Sequence, residues 1–189
     1  VLDSGGPDYD HVWMTEALRG LVSGTLSVKV SHEGIHSGNS GGSIPSSFRI
    51  QRILLDRVED SSSGKVTIPE MHVEIPEEVR DNAIALREIV GDSIWEQFPT
   101  VDSLRQVSET TEDMIVSMNW EPTLSIIGAD GIPSVQDAGN VLRTNTDLKL
   151  SFRIPPGVDS EYALARAKAI LEEDPPYGAE VIFTPDSCA

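Results

Sequence analysis

The stretch Asp147-Leu148-Lys149-Leu150-Ser151-Phe152-Arg153-Ile154 decides the fold class. Leu148, Leu150, Phe152 and Ile154 fall on one side, and Lys149, Ser151 and Arg153 on the other. Successive side chains of a strand point to opposite faces, so this alternation predicts a strand with one buried side. Pro155-Pro156-Gly157 stops it, because proline cannot donate to a sheet ladder. Residues 21–31 repeat the pattern: Val22, Gly24, Leu26, Val28 and Val30 oppose Ser23, Thr25, Ser27 and Lys29. One-sided strands of this kind belong to an antiparallel sheet covered on a single face.

The covering elements are readable too. Pro45-Ser46-Ser47 opens a helix to about Asp60, with Ile50, Ile53, Leu54 and Val58 at helical spacing and proline in the first turn. Ser61-Ser62-Ser63-Gly64 ends it. Asp159 or Ser160 caps a second helix to about Glu173, with Leu164, Ala167 and Leu171 on one face. A short strand at 123–128 runs into a turn at Asp130-Gly131-Ile132-Pro133, and 179–184 forms the last strand. The segment 60–120 is less regular. A helix from Pro76 to about Val90 carries Glu77 and Glu78 near its positive N-terminus, a short helical continuation follows at 93–98, and 99–113 stays unassigned. The order is strand, helix, insertion, strand, strand, helix, strand. It predicts an α+β chain: a ferredoxin-like βαββαβ sandwich, with helices on one face of an antiparallel sheet and a mostly helical insertion.

Composition narrows the function. The 189 residues suffice for one core with a large insertion, and 39% hydrophobic with 24% charged residues is an ordinary globular mix. With 31 Asp+Glu against 14 Lys+Arg the net charge is −17, which would repel a polyanion, so no nucleic-acid partner is expected. No apolar run approaches the length of about 18 residues that a membrane span needs, and no membrane role is expected. A single cysteine, Cys188, allows no intrachain disulfide and fits a reducing, cytoplasmic compartment. Val1 opens the chain without an initiator Met, which reads as a fragment or a processed chain.

Three residues stand out chemically. His36 lies in Gly34-Ile35-His36-Ser37-Gly38-Asn39-Ser40-Gly41-Gly42, where glycines let a ligand approach the backbone closely. A solvent-facing loop residue is the commoner reading of such a histidine. Arg153 sits on the polar side of its strand, where a guanidinium can hold a carboxylate in a bidentate fork; a surface salt bridge is the commoner case. Asp3 follows two apolar residues and precedes Ser4-Gly5-Gly6, as at a strand end where metal ligands often sit. One carboxylate cannot build a metal site. His11, His32 and His72 lack ligand spacing, and Glu77-Glu78 reads as a dipole-favoured pair. Residue chemistry alone thus describes a globular domain without a complete active site.

The segments Leu2-Asp3-Ser4, Leu18-Arg19-Gly20, Gly34-Ile35-His36-Ser37-Gly38 with Gly41-Gly42, Gly139-Asn140-Val141-Leu142 and Phe152-Arg153-Ile154-Pro155-Pro156 span almost the whole chain. In order and spacing they resemble the lid domain of metallopeptidases of the carnosinase, aminoacylase and carboxypeptidase-G type. The His-Ser-Gly-x-x-Gly-Gly piece is the most specific of them. The resemblance implies a two-domain parent whose catalytic domain holds two divalent metals, usually zinc, and a glutamate base. It implies a lid that forms a homodimer and closes over a peptide or N-acyl amino-acid substrate. Asp3 matches a metal-ligand carboxylate at the catalytic–lid junction. His36 matches a lid histidine that enters the partner subunit's site, Arg153 the arginine that grips the substrate carboxylate, and Asn140 a polar substrate contact. Residues 1–20 then form the junction, 21–185 the lid, and about 60–120 its insertion. The parent's His-x-Asp motif is absent here and Glu77-Glu78 lies in the wrong context for its base, so no metal centre and no activity are expected of this chain alone. The rival reading is a stand-alone ferredoxin-like module that binds a protein partner or a small ligand.

Overall fold

The computed structural model describes residues 17–91, 93–186 and 188. Four strands, β1 (Gly20–Lys29), β2 (Thr123–Asp130), β3 (Asn145–Ile154) and β4 (Glu180–Pro185), form one sheet in the order β2-β3-β1-β4. Every pairing is antiparallel. The α+β class read from the alternation holds, and both deciding stretches are its central strands. Register follows from it: Val22 faces Phe152 and Leu26 faces Leu148 across β1 and β3, and Leu26 faces Phe183 across β1 and β4. A slip of one residue would turn this whole apolar set to water.

Among the described residues the longer helices are α1 (Ser47–Leu55), α2 (Glu77–Val90), α3 (Thr111–Trp120) and α4 (Ser160–Glu172). Ile50 and Leu54 of α1 and Ala163, Ala167 and Leu171 of α4 join Val22, Leu26, Leu150, Phe152 and Phe183 in one buried cluster. Both helices therefore cover the same face. Two alanines on the buried side of α4 let its axis come close to the sheet. α1 is pinned by polar bonds as well. The buried Gln51 donates from Nε2 to the carbonyls of Leu26 and Thr146, each at 2.8 Å, and Ser47 Oγ lies 2.7 Å from Thr146 Oγ1. The outer face is mostly polar, and on it Lys149 pairs with Asp186.

Gly24 has no room for a side chain. A Cβ there would fall 2.4 Å from Cζ of Phe183 and 2.8 Å from the Thr184 carbonyl. The Phe183 ring thus occupies the space a side chain would need. Gly24→Ala is expected to cost about 1–3 kcal/mol through overpacking, and Phe183→Leu in the same chain should recover part of it. Urea unfolding of both variants measures this; a neutral Gly24→Ala would contradict the packing.

α1 is shorter than the sequence suggests, ending at Leu55 rather than Asp60. Beyond it the chain turns, Glu59–Asp60 pairs with Lys65–Val66, and Asp60 Oδ1 accepts from the Ser62 amide at 2.8 Å. Arg57, in the turn, donates to the carbonyls of Ile170, Glu173 and Asp174, the last at 2.9 Å. It so satisfies carbonyls at the end of α4 that have no intrahelical partner. The helix at 77–90 appears as read, and the short continuation ends at Glu96 rather than Phe98. α3 begins in the unassigned stretch, and Thr110 caps it: its Oγ1 accepts from the Asp113 amide at 3.1 Å. Ala83, Ile94, Met114, Ile115 and Val116 form a second, smaller core within the insertion.

Asp186 ties β4 to the outer face. Its carboxylate accepts from Lys149 Nζ at 2.7 Å and from Ser23 Oγ at 2.8 Å, and these two partners hold its pKa below the ordinary carboxylate range. A depressed folded-state pKa adds stability above the unfolded value of about 3.9, and that stability is lost as pH falls through the folded value. Asp186→Asn should therefore lower the urea midpoint slightly at pH 7 and leave the acid limb below about pH 4 shallower. Parallel acid limbs in the two proteins would refute this.

Candidate functional site

The sequence motifs meet in two places. At one end of the sheet the chain leaving β1 runs along the segment that enters β3. The amides of Val30 and Ser31 donate to the Thr144 carbonyl at 2.8 and 3.4 Å. Ile35 then pairs with Leu142 and His36 with Val141, and the Ser37 amide donates to the Asn140 carbonyl at 2.9 Å. His36 and Asn140, predicted separately, are thereby neighbours.

His36 is not the free loop residue that glycine content alone suggests. It caps a single helical turn, Ser37–Ser40, and its Nδ1 accepts from the Gly38 amide at 3.1 Å. Ser40, itself buried, donates from Oγ to the His36 carbonyl at 3.2 Å. The glycines make a close fit. A Cβ on Gly38 would lie 3.0 Å from the His36 ring, one on Gly41 2.8 Å from the Ser37 carbonyl, and one on Gly34 2.9 Å from Val141. Since Nδ1 accepts, the neutral ring carries its proton on Nε2. Among the described residues nothing bonds to that Nε2–H, and the His36 side chain is exposed. The arrangement presents an oriented donor to solvent.

The other two motifs meet at the opposite end. Leu21 pairs with Arg153, and Arg153 pairs with Thr123. Arg153 is exposed on the polar outer face, as read. Arg19 lies one step before β1 on the same face and donates from Nη1 to Thr123 Oγ1 at 3.4 Å, reaching across the strand that carries Arg153. Burial, and then the charge of Arg153, hold the Arg19 pKa below the ordinary arginine value. Among the described residues no carboxylate pairs with either guanidinium. Arg19 entered the sequence reading only inside Leu18-Arg19-Gly20. Continuing the alternation of β1 back by one pair of residues would have set it on the polar face.

The two ends lie far apart. Asn145 and Arg153 are separated along β3 by about 26 Å at the usual strand rise. His36 with Asn140 and Arg153 with Arg19 therefore do not form one site within a single chain. Asp3 lies outside the described residues. Among the described residues no group of three or more His, Cys, Asp and Glu side chains could hold a metal ion, and no helix is long and apolar enough to cross a membrane. His72 is engaged with the Val66 carbonyl at 2.8 Å, and Glu77 and Glu78 head α2.

Comparison with solved structures gives this geometry a setting. The di-peptidase Dug1p from Saccharomyces cerevisiae matches 91% of the chain with a TM-score of 0.69 at 20% identity. The chain shares its fold with one portion of that enzyme. Human carnosine dipeptidase 1 matches 95% of it, with a TM-score of 0.70 at 22% identity. The M20 family metallo-carboxypeptidase Sso-CP2 from Sulfolobus solfataricus matches 89%, with a TM-score of 0.63 at 17% identity. In these three the chain covers only 36%, 39% and 39% of the longer protein. At such identities the likeness is one of fold. No protein-family model matches the sequence, and no curated protein does. The fold likeness agrees with the resemblance carried by the motifs, and the coverage is that of a partial domain.

Proposed function

We propose that this chain is the lid and dimerisation portion of a metal-dependent exopeptidase or dipeptidase, with residues 21–185 as a ferredoxin-like lid, 1–20 as the junction to the catalytic domain and about 60–120 as an insertion. The observation that carries the reading is the separation of the two motif pairs. A dipeptide spans roughly 7 Å of extended chain, whereas Asn145 and Arg153 alone are about 26 Å apart along β3, and His36 pairs with Val141, before the Asn145 end of that strand. If His36 and Arg153 both touch one substrate, they come from different copies. A homodimer with His36 acting in trans meets that condition.

In this reading Arg153 holds the free carboxylate of a peptide or N-acyl amino acid in its planar fork. The Nε2–H of the partner copy's His36 donates to the scissile carbonyl oxygen and more strongly to the oxyanion that forms from it. Asn140, whose main chain is tied to the turn after His36, adds a polar contact beside it. Asp3 would serve as a metal ligand in the complete enzyme. Two divalent metals bound by the catalytic portion, zinc in the usual case, would supply an activated water. This chain alone would hydrolyse nothing, and its lone cysteine suits a cytoplasmic setting.

The test is a subunit-mixing experiment on the complete enzyme. His36→Ala and Arg153→Ala dimers should each be impaired. In a mixed dimer one site combines an intact Arg153 with an intact His36 from the other copy. Equal mixing with free exchange should then restore about a quarter of wild-type activity, because half of the dimers are mixed and each has one good site. No restoration, with exchange verified, would rule out action in trans and favour a stand-alone interaction module.

A further inference from the structure

We propose that Arg19 and Arg153 together form a two-guanidinium site that favours a substrate end bearing two negative charges, as in a peptide whose C-terminal residue is aspartate or glutamate. The inference rests on the reading of Arg153 as the carboxylate-gripping residue and adds Arg19 as a specificity determinant.

The first support is that two cations lie together on one face without a carboxylate partner among the described residues. The chain carries 31 acidic residues against 14 basic ones. Lys149 is matched by Asp186, Arg166 by Glu70, Lys168 by Glu172 and Arg87 by Glu112. Arg57 is occupied by three carbonyls. Other cations, Arg49 and Arg143 among them, also form no ion pair among the described residues; Arg19 and Arg153 differ in lying side by side on one face, with Arg19 half-buried. A half-buried guanidinium next to a second one is costly unless an anion arrives.

The second support is orientation. Register fixes Arg153 between Leu21 and Thr123, and the bond to Thr123 draws the Arg19 guanidinium over the same strand. Both side chains leave the outer face, so one ligand can meet both forks. A single carboxylate saturates one fork and leaves the other charge uncompensated. Two carboxylates on one residue balance both, and planar forks recognise them bidentately. A C-terminal acidic residue offers that pair within one residue's reach.

The test titrates the 189-residue chain with N-acetylglutamate and, separately, N-acetylglycine, following the arginine Nε–H resonances by NMR. N-acetylglutamate should shift the resonances of both Arg19 and Arg153 and bind about tenfold more tightly than N-acetylglycine. In Arg19→Gln the two affinities should fall within about twofold of each other, and Arg153→Gln should abolish binding of both. Equal affinities in the wild-type chain, a preference that survives Arg19→Gln, or no shift at either arginine overturns the proposal. The wild-type comparison decides the matter even if a variant fails to fold. No catalytic portion is needed, so the titration and the subunit-mixing experiment succeed or fail separately.

Discussion

His36→Ala in the complete enzyme should lower kcat by about 10²–10³-fold while KM stays within a few-fold, the loss usual for one oxyanion donor. The reason lies in how the ring is held. Gly38 donates to Nδ1 at 3.1 Å, which leaves the proton on Nε2 and fixes the direction of donation. A donor that binds the oxyanion more strongly than the ground-state carbonyl shows its loss in kcat rather than in KM. Gly38→Ala offers a milder variant, since its Cβ would press the ring from 3.0 Å without removing it. Steady-state kinetics on dimers of confirmed size would decide the point. A wild-type kcat in His36→Ala would end the proposed role.

Phe152→Ala should destabilise the fold by about 3–5 kcal/mol, the range for removing a buried aromatic side chain. Phe152 is fully buried on a central strand, opposite Val22 on one side and Leu124 on the other. α1 and α4 both close over the cluster to which it belongs. Domains are commonly stable by only about 5–15 kcal/mol, so this one change could consume much of the total. Urea denaturation with an unchanged slope and a lowered midpoint would report it. A cost below about 1 kcal/mol would mean that the sheet and helices are not close-packed here. Arg153 is the next residue, so any loosening of β3 should also weaken the carboxylate grip proposed for it.

The sheet was legible because its alternation is strict. Residues 21–31 and 147–154 each present one apolar side, and both became central strands. β2 was harder to delimit because it is an edge strand with a register shift between Ile126 and Gly128, which sends Ile126 and Ile127 to partial exposure. No simple period survives such a bulge. α1 was read too long because Val58 keeps helical spacing yet is buried by the turn that follows Leu55. His36, Asn140 and Arg153 were singled out from their motifs. That two of them adjoin and the third lies at the far end follows from strand register, which the motifs do not contain. Arg19 went unread because a basic residue just before a strand looks like any solvated charge until its neighbours across the sheet are known.

The sheet order sets a schedule for synthesis. β1 lies in the interior of the sheet, yet its two neighbours are β3 and β4, at residues 145–154 and 180–185. On the ribosome one edge of β1 has no partner until residue 154 has emerged, and the other none until residue 185. Pairings so distant in sequence are slow to close, and unpaired strands left waiting are prone to stick to other chains. The insertion carries its own small core and is complete by Trp120. It can therefore gather while β1 still waits. The edges of β1 are therefore where chaperone cover is expected to matter while this sheet is being made.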